Sequence, residues 1–141
     1  MQICAVVRNA PGTHSASVGT AGATQSVAIP AKAAAPGSAV NGGELLMLAL
    51  ATCYCNDIHR EAARLGIPVE SVDVEAQADF DGVGLAARNV RYRARVVSPA
   101  PQAEIDALLA HTDTVAEVHN TLRAGVTVRR EAWDAAAHEP R

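Results

Sequence analysis

The sequence predicts an α+β protein whose strands and helices are segregated along the chain. Three observations predict this class. Residues 2–29 are strand-like and punctuated by glycine, one apolar helix follows, and a second strand pair then precedes two short helices. The expected order is βββ-α-ββ-αα-β. At 141 residues the chain fits one domain over residues 1–141, with a loose tail from about residue 132.

The first three strands are expected in the segments ICAVVR, THSASV and TQSVAI. Turns are predicted at residues 9–12, which contain Pro11 and Gly12, and around residues 19–22. Short connections between successive strands favour a three-stranded meander. The stretch PAKAAAPGSAVNGG at residues 30–43 contains two prolines and three glycines, so it is interpreted as a loop.

A long helix is predicted from about Gly43 to Leu65, where Gly66 and Pro68 would end it. Before Cys53 this helix is apolar nearly all round, which indicates that both of its sides are covered. Farther along, charged residues occupy one stripe. A helix with this pattern is typical of the central element of a dimer.

The segment at residues 71–97 predicts a hairpin with alternating apolar residues on both strands. Pairing about the turn at residues 82–84 would set Glu75 opposite Arg93 and Asp73 opposite Arg95. Such cross-strand charge pairs account for the arginine stripe without a nucleic acid.

Two short helices are expected next, the first beginning near Pro101 and the second capped by Thr112 or Asp113 and ending at Gly125. The segment VTVRR predicts a final strand. His111 and His119 are expected on partly exposed helix surfaces. Trp133 is expected to pack against the C-terminal tail.

The net charge of −3 gives no general attraction to phosphates, so nucleic acid is not an expected partner. No apolar run approaches the ~20 residues that span a bilayer, and the N-terminus lacks a signal-peptide pattern, so no membrane association is expected. Three cysteines in a chain of this size suit a reducing compartment. The predicted location is cytoplasmic.

Cys53 and Cys55 lie on the long helix, where their side chains point about 200° apart and cannot form a disulfide. Cys55 follows the apolar face and is expected to be buried. Cys53 follows the polar face with Asp57 and Arg60. A reactive Cys53 needs nearby positive charge to lower its pKa, while Asp57 would oppose ionisation. The alternative, a buried and inert Cys53, stays open at this point.

A metal site is an alternative, because Cys55 and His59 share a helix face and His111 or His119 would be the further ligands. The recognisable paired motifs of zinc sites are missing from this set. We therefore expect neither a metal nor another cofactor.

The order of elements, the helix opened by NGGELL and carrying LALATCY, and the later TVAEVHNTLRAGVTV together resemble the OsmC/Ohr family. The resemblance extends from about Val6 to Val128. It implies an OsmC-like fold with a long central helix packed on antiparallel sheet. It also implies an intertwined homodimer with the two long helices at its centre and active sites between subunits.

In the peroxidase members of that family, a helix cysteine attacks a hydroperoxide, an arginine and a glutamate assist, and a second cysteine closes a disulfide. By this resemblance Cys53 matches the attacking cysteine and Glu44 the glutamate. Ala116 occupies the position of the second cysteine, and Glu117 stands where proline is frequent. The expected arginine position falls near residues 13–14.

Two functions are therefore predicted. The first is a thiol-dependent hydroperoxide reductase in oxidative-stress defence, with Cys53 attacking, Glu44 orienting, and His14 or Arg8 as the electrostatic helper. An external thiol would be its reductant, since helix geometry excludes Cys55 and only a nearby strand would bring Cys4 within reach. The alternative is a non-redox relative that binds a small apolar molecule in the dimer-interface pocket.

Overall fold

The structure is a computed structural model that describes residues 1–133. Its elements confirm the α+β class and, up to the last helix, the predicted order. They are β1 (Ile3–Ala10), β2 (Thr13–Thr20), β3 (Ala23–Val27), α1 (Gly42–Leu65), β4 (Ser71–Asp79), β5 (Arg88–Val97), α2 (Gln102–Val115) and α3 (Glu117–Ala124).

The first three strands form the predicted meander, an antiparallel sheet in the order β1-β2-β3. The register pairs Ile3 with Thr20 at one end of β1 and Ala10 with Thr13 at the other. Gly12 lies in the tight turn between β1 and β2 with φ of 76°, a left-handed conformation that glycine adopts without steric cost.

Helix α1 begins with a reciprocal capping box. The Glu44 backbone N–H donates to Asn41 Oδ1 at 2.9 Å, and the Asn41 backbone N–H donates to Glu44 Oε2 at 2.7 Å. Two of the N–H groups at this end, which lack helical partners, are thereby satisfied. The helix ends at Leu65 and is followed, as predicted, by Gly66, whose φ of 70° is the left-handed conformation that commonly stops a helix.

Strands β4 and β5 form a two-stranded sheet in the predicted register. Arg93 Nε donates to Glu75 Oε2 at 2.6 Å, and Arg95 Nε donates to Asp73 Oδ2 at 3.0 Å. The predicted cross-strand charge pairs are therefore confirmed, and they satisfy these arginines within the hairpin.

Two predictions for the C-terminal third are wrong. Thr112 does not cap α3, because α2 continues to Val115 and the Thr112 hydroxyl donates to the Leu108 carbonyl one turn earlier; Asp113 is likewise inside α2. The segment VTVRR is not a strand, and Val128 in it is 92% exposed. A strand needs a pairing neighbour, and within residues 1–133 the sheets consist of β1-β2-β3 and β4-β5.

Trp133, the last described residue, is largely exposed, and its predicted packing against the C-terminal tail stays a prediction. The predicted loose tail beyond it lies outside the described residues.

The chain divides into two compact units, to both of which α1 and the hairpin contribute residues. The first unit comprises Met1–Ala51 and Glu75–Arg93, and the second comprises Thr52–Val74 and the chain from Ala94 onward. Of the twelve buried residues at positions 1–133, ten lie in the second unit, leaving only Gly19 and Leu50 in the first. The second unit thus has a core of its own, while the described part of the first unit has almost none. The prediction of a single domain stays a prediction.

Candidate functional site

Cys53 lies midway along α1, in the second unit, and its side chain is partly exposed. Its Sγ–H donates to Asp57 Oδ2 at 3.4 Å. The spacing of four residues sets the two side chains one above the other on a helix face, as the sequence predicted. The thiol is therefore neither sealed in hydrocarbon nor fully open to water.

Helix α3 supplies the rest of the immediate surroundings of Cys53. Ala116 precedes this helix in an extended conformation and is fully buried. The backbone N–H of Val118 hydrogen-bonds Cys53, and Glu117 Oε2 lies 4.0 Å from Sγ. The thiol thus meets the N-terminus of a helix, where free N–H groups favour negative charge, together with a carboxylate that opposes it.

Arg60 joins the two carboxylates beside the thiol. Its Nη1 lies 2.6 Å from Asp57 Oδ1 and 3.8 Å from Glu117 Oε1. Asp57 is only 4% exposed, so the ion pair with Arg60 offsets the cost of burying its charge. The guanidinium is engaged with carboxylates, and the side-chain acceptors that face Sγ are Asp57 Oδ2 and, farther away, Glu117 Oε2.

These surroundings raise the pKa of the Cys53 thiol. Burial is the largest cause, and the hydrogen bond to Asp57 and the charges of Asp57 and Glu117 act in the same direction. The Val118 N–H lowers the pKa, but it is outweighed. In the single chain, therefore, Cys53 is a protonated thiol at neutral pH rather than a preformed thiolate.

One helical turn farther along, Glu61 anchors α1 to α2. Its carboxylate accepts hydrogen bonds from Arg60 Nε at 3.1 Å and Arg64 Nε at 2.8 Å, and His111 Nε2 lies 3.0 Å away. The hydrogen bonds from Arg64 and Arg60 lower the pKa of Glu61 to about 2. This cluster fixes the helix segment that carries Asp57 and Arg60.

Behind the thiol, Tyr54 and His119 form part of the core. Their ring centroids lie 5.5 Å apart, and the Tyr54 hydroxyl donates to the Leu109 carbonyl at 2.6 Å. Burial raises the pKa of Tyr54 to about 12 and lowers the pKa of His119. The prediction that His119 lies on a partly exposed surface is wrong, because α3 turns this ring toward α1; His111 is partly exposed as predicted.

Cys55 is partly exposed, so its predicted burial is also wrong for this chain. The buried stripe of α1 instead passes through Leu50, Tyr54 and Ile58, at intervals of four residues. Cys4 is exposed on β1, in the first unit.

The other predicted site residues belong to the first unit. Glu44 caps α1 as described above. His14 on β2 is half-buried, and its Nδ1 lies 3.3 Å from Asn9 Nδ2. Arg8 is exposed on β1, where its Cα pairs with that of Ser15. Their predicted roles in catalysis stay predictions.

Among residues 1–133, the metal-ligand side chains that converge are Cys53, Asp57 and Glu117, whose ligand atoms lie within 4.8 Å of one another. In the same range, the set considered from the sequence, Cys55 and His59 with His111 or His119, forms no such group. Arg60 contacts both carboxylates of this triad and supplies one positive charge to them.

Sequence reasoning noted Glu117 only as a residue standing where proline is frequent. Glu117 lies beside the thiol because α3 begins directly after Ala116. The sequence placed the start of this helix at Thr112 or Asp113, so Glu117 was not recognised as a residue of its first turn.

The fold and this thiol-bearing helix define an α+β protein of the type seen in OsmC-like structures. A sequence model described as "OsmC-like protein" matches residues 35–131. The chain therefore belongs to the OsmC family. No curated protein sequence matches it.

Three solved structures share the fold at low identity. The OsmC-like protein of Mycoplasma pneumoniae is 18% identical with a TM-score of 0.61, covering 86% of each chain. An organic hydroperoxide resistance protein OsmC of Legionella pneumophila is 19% identical with a TM-score of 0.59, covering 87% of this chain and 90% of the other. An OsmC-like hydroperoxide resistance protein of Jannaschia sp. is 19% identical with a TM-score of 0.58, covering 94% and 92%.

In the described part of the chain, no helix combines the length and hydropathy needed to cross a bilayer.

Proposed function

We propose that this protein is a thiol-dependent hydroperoxide reductase in which Cys53 is the reacting thiol and an external thiol is the reductant. The observation that carries the proposal is the partly exposed Cys53 Sγ on the long helix, which the backbone N–H of Val118 hydrogen-bonds at the start of α3. Similar folds in proteins described as hydroperoxide resistance proteins support the class of reaction.

The proposed reaction has three steps. The sulfur of Cys53 attacks one oxygen of a hydroperoxide R–O–O–H, the O–O bond breaks, and Cys53–S–OH and R–OH are formed as the thiol proton passes to the leaving oxygen. An external thiol then attacks the sulfenic sulfur, which forms a mixed disulfide and releases water. A second external thiol restores Cys53–SH and leaves as the disulfide of the reductant.

The raised pKa of Cys53 makes the first step slow at neutral pH unless further positive charge is supplied. We assign that role to Arg8 or His14 and an orienting role to Glu44, within a homodimer that shares its active sites between subunits. His14 and Arg8 are the two candidate helper cations that the sequence offers among the first strands.

The uneven burial supports the homodimer. The described first unit buries only Gly19 and Leu50, and it exposes large apolar side chains at Ile3, Val7, Leu48, Phe80 and Val90. A small sheet that covers neither face is marginally stable in water. A second copy of the chain is the partner that would cover these residues.

The second candidate function is binding of a small apolar molecule without redox chemistry. Two features favour it: the surroundings of Cys53 raise the pKa of its thiol, and the described first unit contains a groove of about 530 Å³. The groove is lined by Asn41, Gly43, Glu44, Met47, Ala76, Gln77, Ala78 and Phe80.

The test is to expose the purified protein to an organic hydroperoxide and trap sulfenic acid with a dimedone reagent. The proposal expects labelling of wild type and of Cys55→Ser, which is the matched control on the same helix, and none of Cys53→Ser. It also expects peroxide consumption in the presence of dithiothreitol to be lost in Cys53→Ser. If Cys53 is no faster than free cysteine at equal pH, the reductase proposal fails. Retention of an apolar fluorophore by such an unreactive protein would then favour the binding function.

A further inference from the structure

The two candidate helper residues of the first strands lie on opposite faces of the meander. In the register of β1 and β2, Asn9 pairs with His14, and Arg8 pairs with Ser15. Paired residues share a face of the sheet, whereas successive residues of one strand point to opposite faces. The sheet itself therefore separates His14 from Arg8, and only one of them can contribute to a site on a given face.

The face that carries His14 is the apolar one. The large apolar side chains that β1 and β3 expose lie on this face, because they pair in register with Thr20 or Ala16 of β2; they are Ile3, Val7 and Val27. The face that carries Arg8 instead carries the hydroxyl side chains of Ser15, Ser17 and Ser26. A second copy of the chain would cover the apolar face, so a site between subunits would receive His14 and not Arg8.

The side chain of Asn9 fixes the ring of His14. Its Oδ1 accepts a hydrogen bond from the Gly37 backbone N–H at 3.2 Å, and its Nδ2 donates to the Thr13 carbonyl at 3.0 Å. These two bonds set the orientation of the amide and leave the second hydrogen of Nδ2 for His14 Nδ1, which lies 3.3 Å away. An amide nitrogen only donates, so Nδ1 accepts, and the neutral ring carries its proton on Nε2.

A small molecule has space beside this ring. His14 is half-buried and borders a groove of about 380 Å³ within the first unit. The groove is also lined by Ser15, Ala16 and residues 26–30. It opens because β3 pairs with β2 only from Ala16 onward, so the chain after β3 leaves the first residues of β2 uncovered. Its volume is within the range of sites for small molecules.

We infer that His14, rather than Arg8, is the helper in the proposed reaction, and that Asn9 is a positioning residue that keeps Nε2–H as the group His14 presents. This inference rests on the proposed function, because it assigns roles within that reaction. When Cys53 attacks the hydroperoxide, the O–O bond breaks and negative charge develops on the leaving oxygen. The positive end of the Nε2–H dipole stabilises this charge through a hydrogen bond. The Nε2 proton is not transferred, since the thiol proton completes R–OH.

The first measurement is the rate constant of sulfenic acid formation at Cys53 with cumene hydroperoxide. His14→Leu removes the donor and should lower this constant by about tenfold or more, because a hydrogen bond to a charged group contributes that much. His14→Gln retains a side-chain N–H near the position of Nε2 and should stay within about threefold of wild type. Gln25→Ala, which removes an exposed amide from β3, is the matched control and should leave the constant unchanged. An unchanged constant in His14→Leu, or a tenfold loss in Arg8→Gln, overturns the inference.

The second measurement locates the ring proton. Nitrogen NMR of protein labelled at histidine is recorded at about pH 8.5, where an ordinary imidazole is neutral, and His14→Gln identifies the His14 signals by their loss. Wild type should show Nδ1 unprotonated and Nε2 protonated. In Asn9→Asp the new carboxylate only accepts, so the proton should move to Nδ1. The rate constant should then fall by about threefold or more, because Nε2 no longer donates. A merely structural role of Asn9 would change the rate without moving the proton.

The outcomes separate this inference from the proposed function. If wild type forms sulfenic acid but carries the proton on Nδ1, or if Asn9→Asp leaves it on Nε2, the positioning role fails and the reductase function stands. If wild type forms no sulfenic acid, the reductase function fails and the helper role of His14 fails with it. Movement of the proton in Asn9→Asp would still establish in that case that Asn9 orients the ring.

Discussion

Leu48 offers a direct test of whether a second copy of the chain covers the first unit. It lies on α1 and is 59% exposed in the single chain, although its neighbours on the helix are largely apolar. Fully burying a leucine side chain is worth roughly 1.5–3 kcal/mol. Covering the exposed fraction in both copies of a symmetric dimer is therefore worth roughly 1.8–3.5 kcal/mol.

Leu48→Ala should accordingly raise the dimer Kd by about 20-fold or more, and at most about 400-fold. The measurement is sedimentation velocity over a range of protein concentrations, with circular dichroism to verify the fold. Leu65→Ala, at the exposed end of α1 in the second unit, is the control and should change Kd less than about threefold. A monomeric wild type, or a Leu48→Ala variant whose Kd matches that of the control, would refute the reasoning.

Three further predictions concern titration. Burial and the nearby carboxylates raise the pKa of Cys53. In a Cys4→Ser, Cys55→Ser variant, whose single thiol is Cys53, alkylation by iodoacetamide should therefore rise about tenfold per pH unit and continue rising above the ordinary thiol pKa of ~8.5. Asp57→Asn should shift this profile to lower pH. The pKa of Glu61 is lowered to about 2, so its contribution to the free energy of unfolding is present above its unfolded pKa of ~4.3 and is lost as pH falls toward 2. In urea titrations, the free energy of unfolding of Glu61→Gln should therefore depend less steeply on pH in this acid range than that of wild type. Burial lowers the pKa of His119, so wild type should lose stability as pH falls below ~6.5, the unfolded value, and His119→Gln should lose less.

Each titration has an outcome that would count against it. If the alkylation rate of Cys53 levels off near pH 8.5, as that of free cysteine does, burial and the carboxylates do not raise its pKa. An acid dependence in Glu61→Gln as steep as in wild type would show that the arginines do not hold that carboxylate. Equal loss of stability below pH ~6.5 in wild type and His119→Gln would show that this ring is not kept neutral by the fold.

The parts of the fold that depend on local patterns could be predicted from the sequence. Alternation and turn residues gave the meander and the hairpin, and the register that pairs Glu75 with Arg93 followed from counting outward from the turn. The extent of α1 could be predicted from its long apolar segment and from Gly66, which follows its last residue. The segment VTVRR has strand propensity, but it has no pairing neighbour in residues 1–133, and propensity alone does not form a strand.

The candidate site was predictable only in part. The hydrogen bond from Cys53 to Asp57 follows from helical spacing and is confirmed. Glu117 is 64 residues from Cys53 in the sequence, so its approach to the thiol depends on how α3 packs on α1. Helical periodicity within one segment gives no information about that packing. The burial of His119 has the same origin. Cys55 was misjudged because Ile58 and Ala62 alone placed it on the apolar face, whereas the buried stripe also includes Leu50 and Tyr54 and leaves Cys55 at its edge.

The concentration of buried residues in the second unit has a consequence for how the protein matures. A unit with its own buried core can fold within one chain, whereas a sheet without a core is stable only when a second copy of the chain packs against it. Backbone amides in α2 should therefore resist hydrogen exchange at every dilution, while those of β1, β2 and β3 should exchange faster as the protein is diluted. Newly made chains would then pass through a half-ordered stage whose lifetime is governed by the abundance of the protein itself.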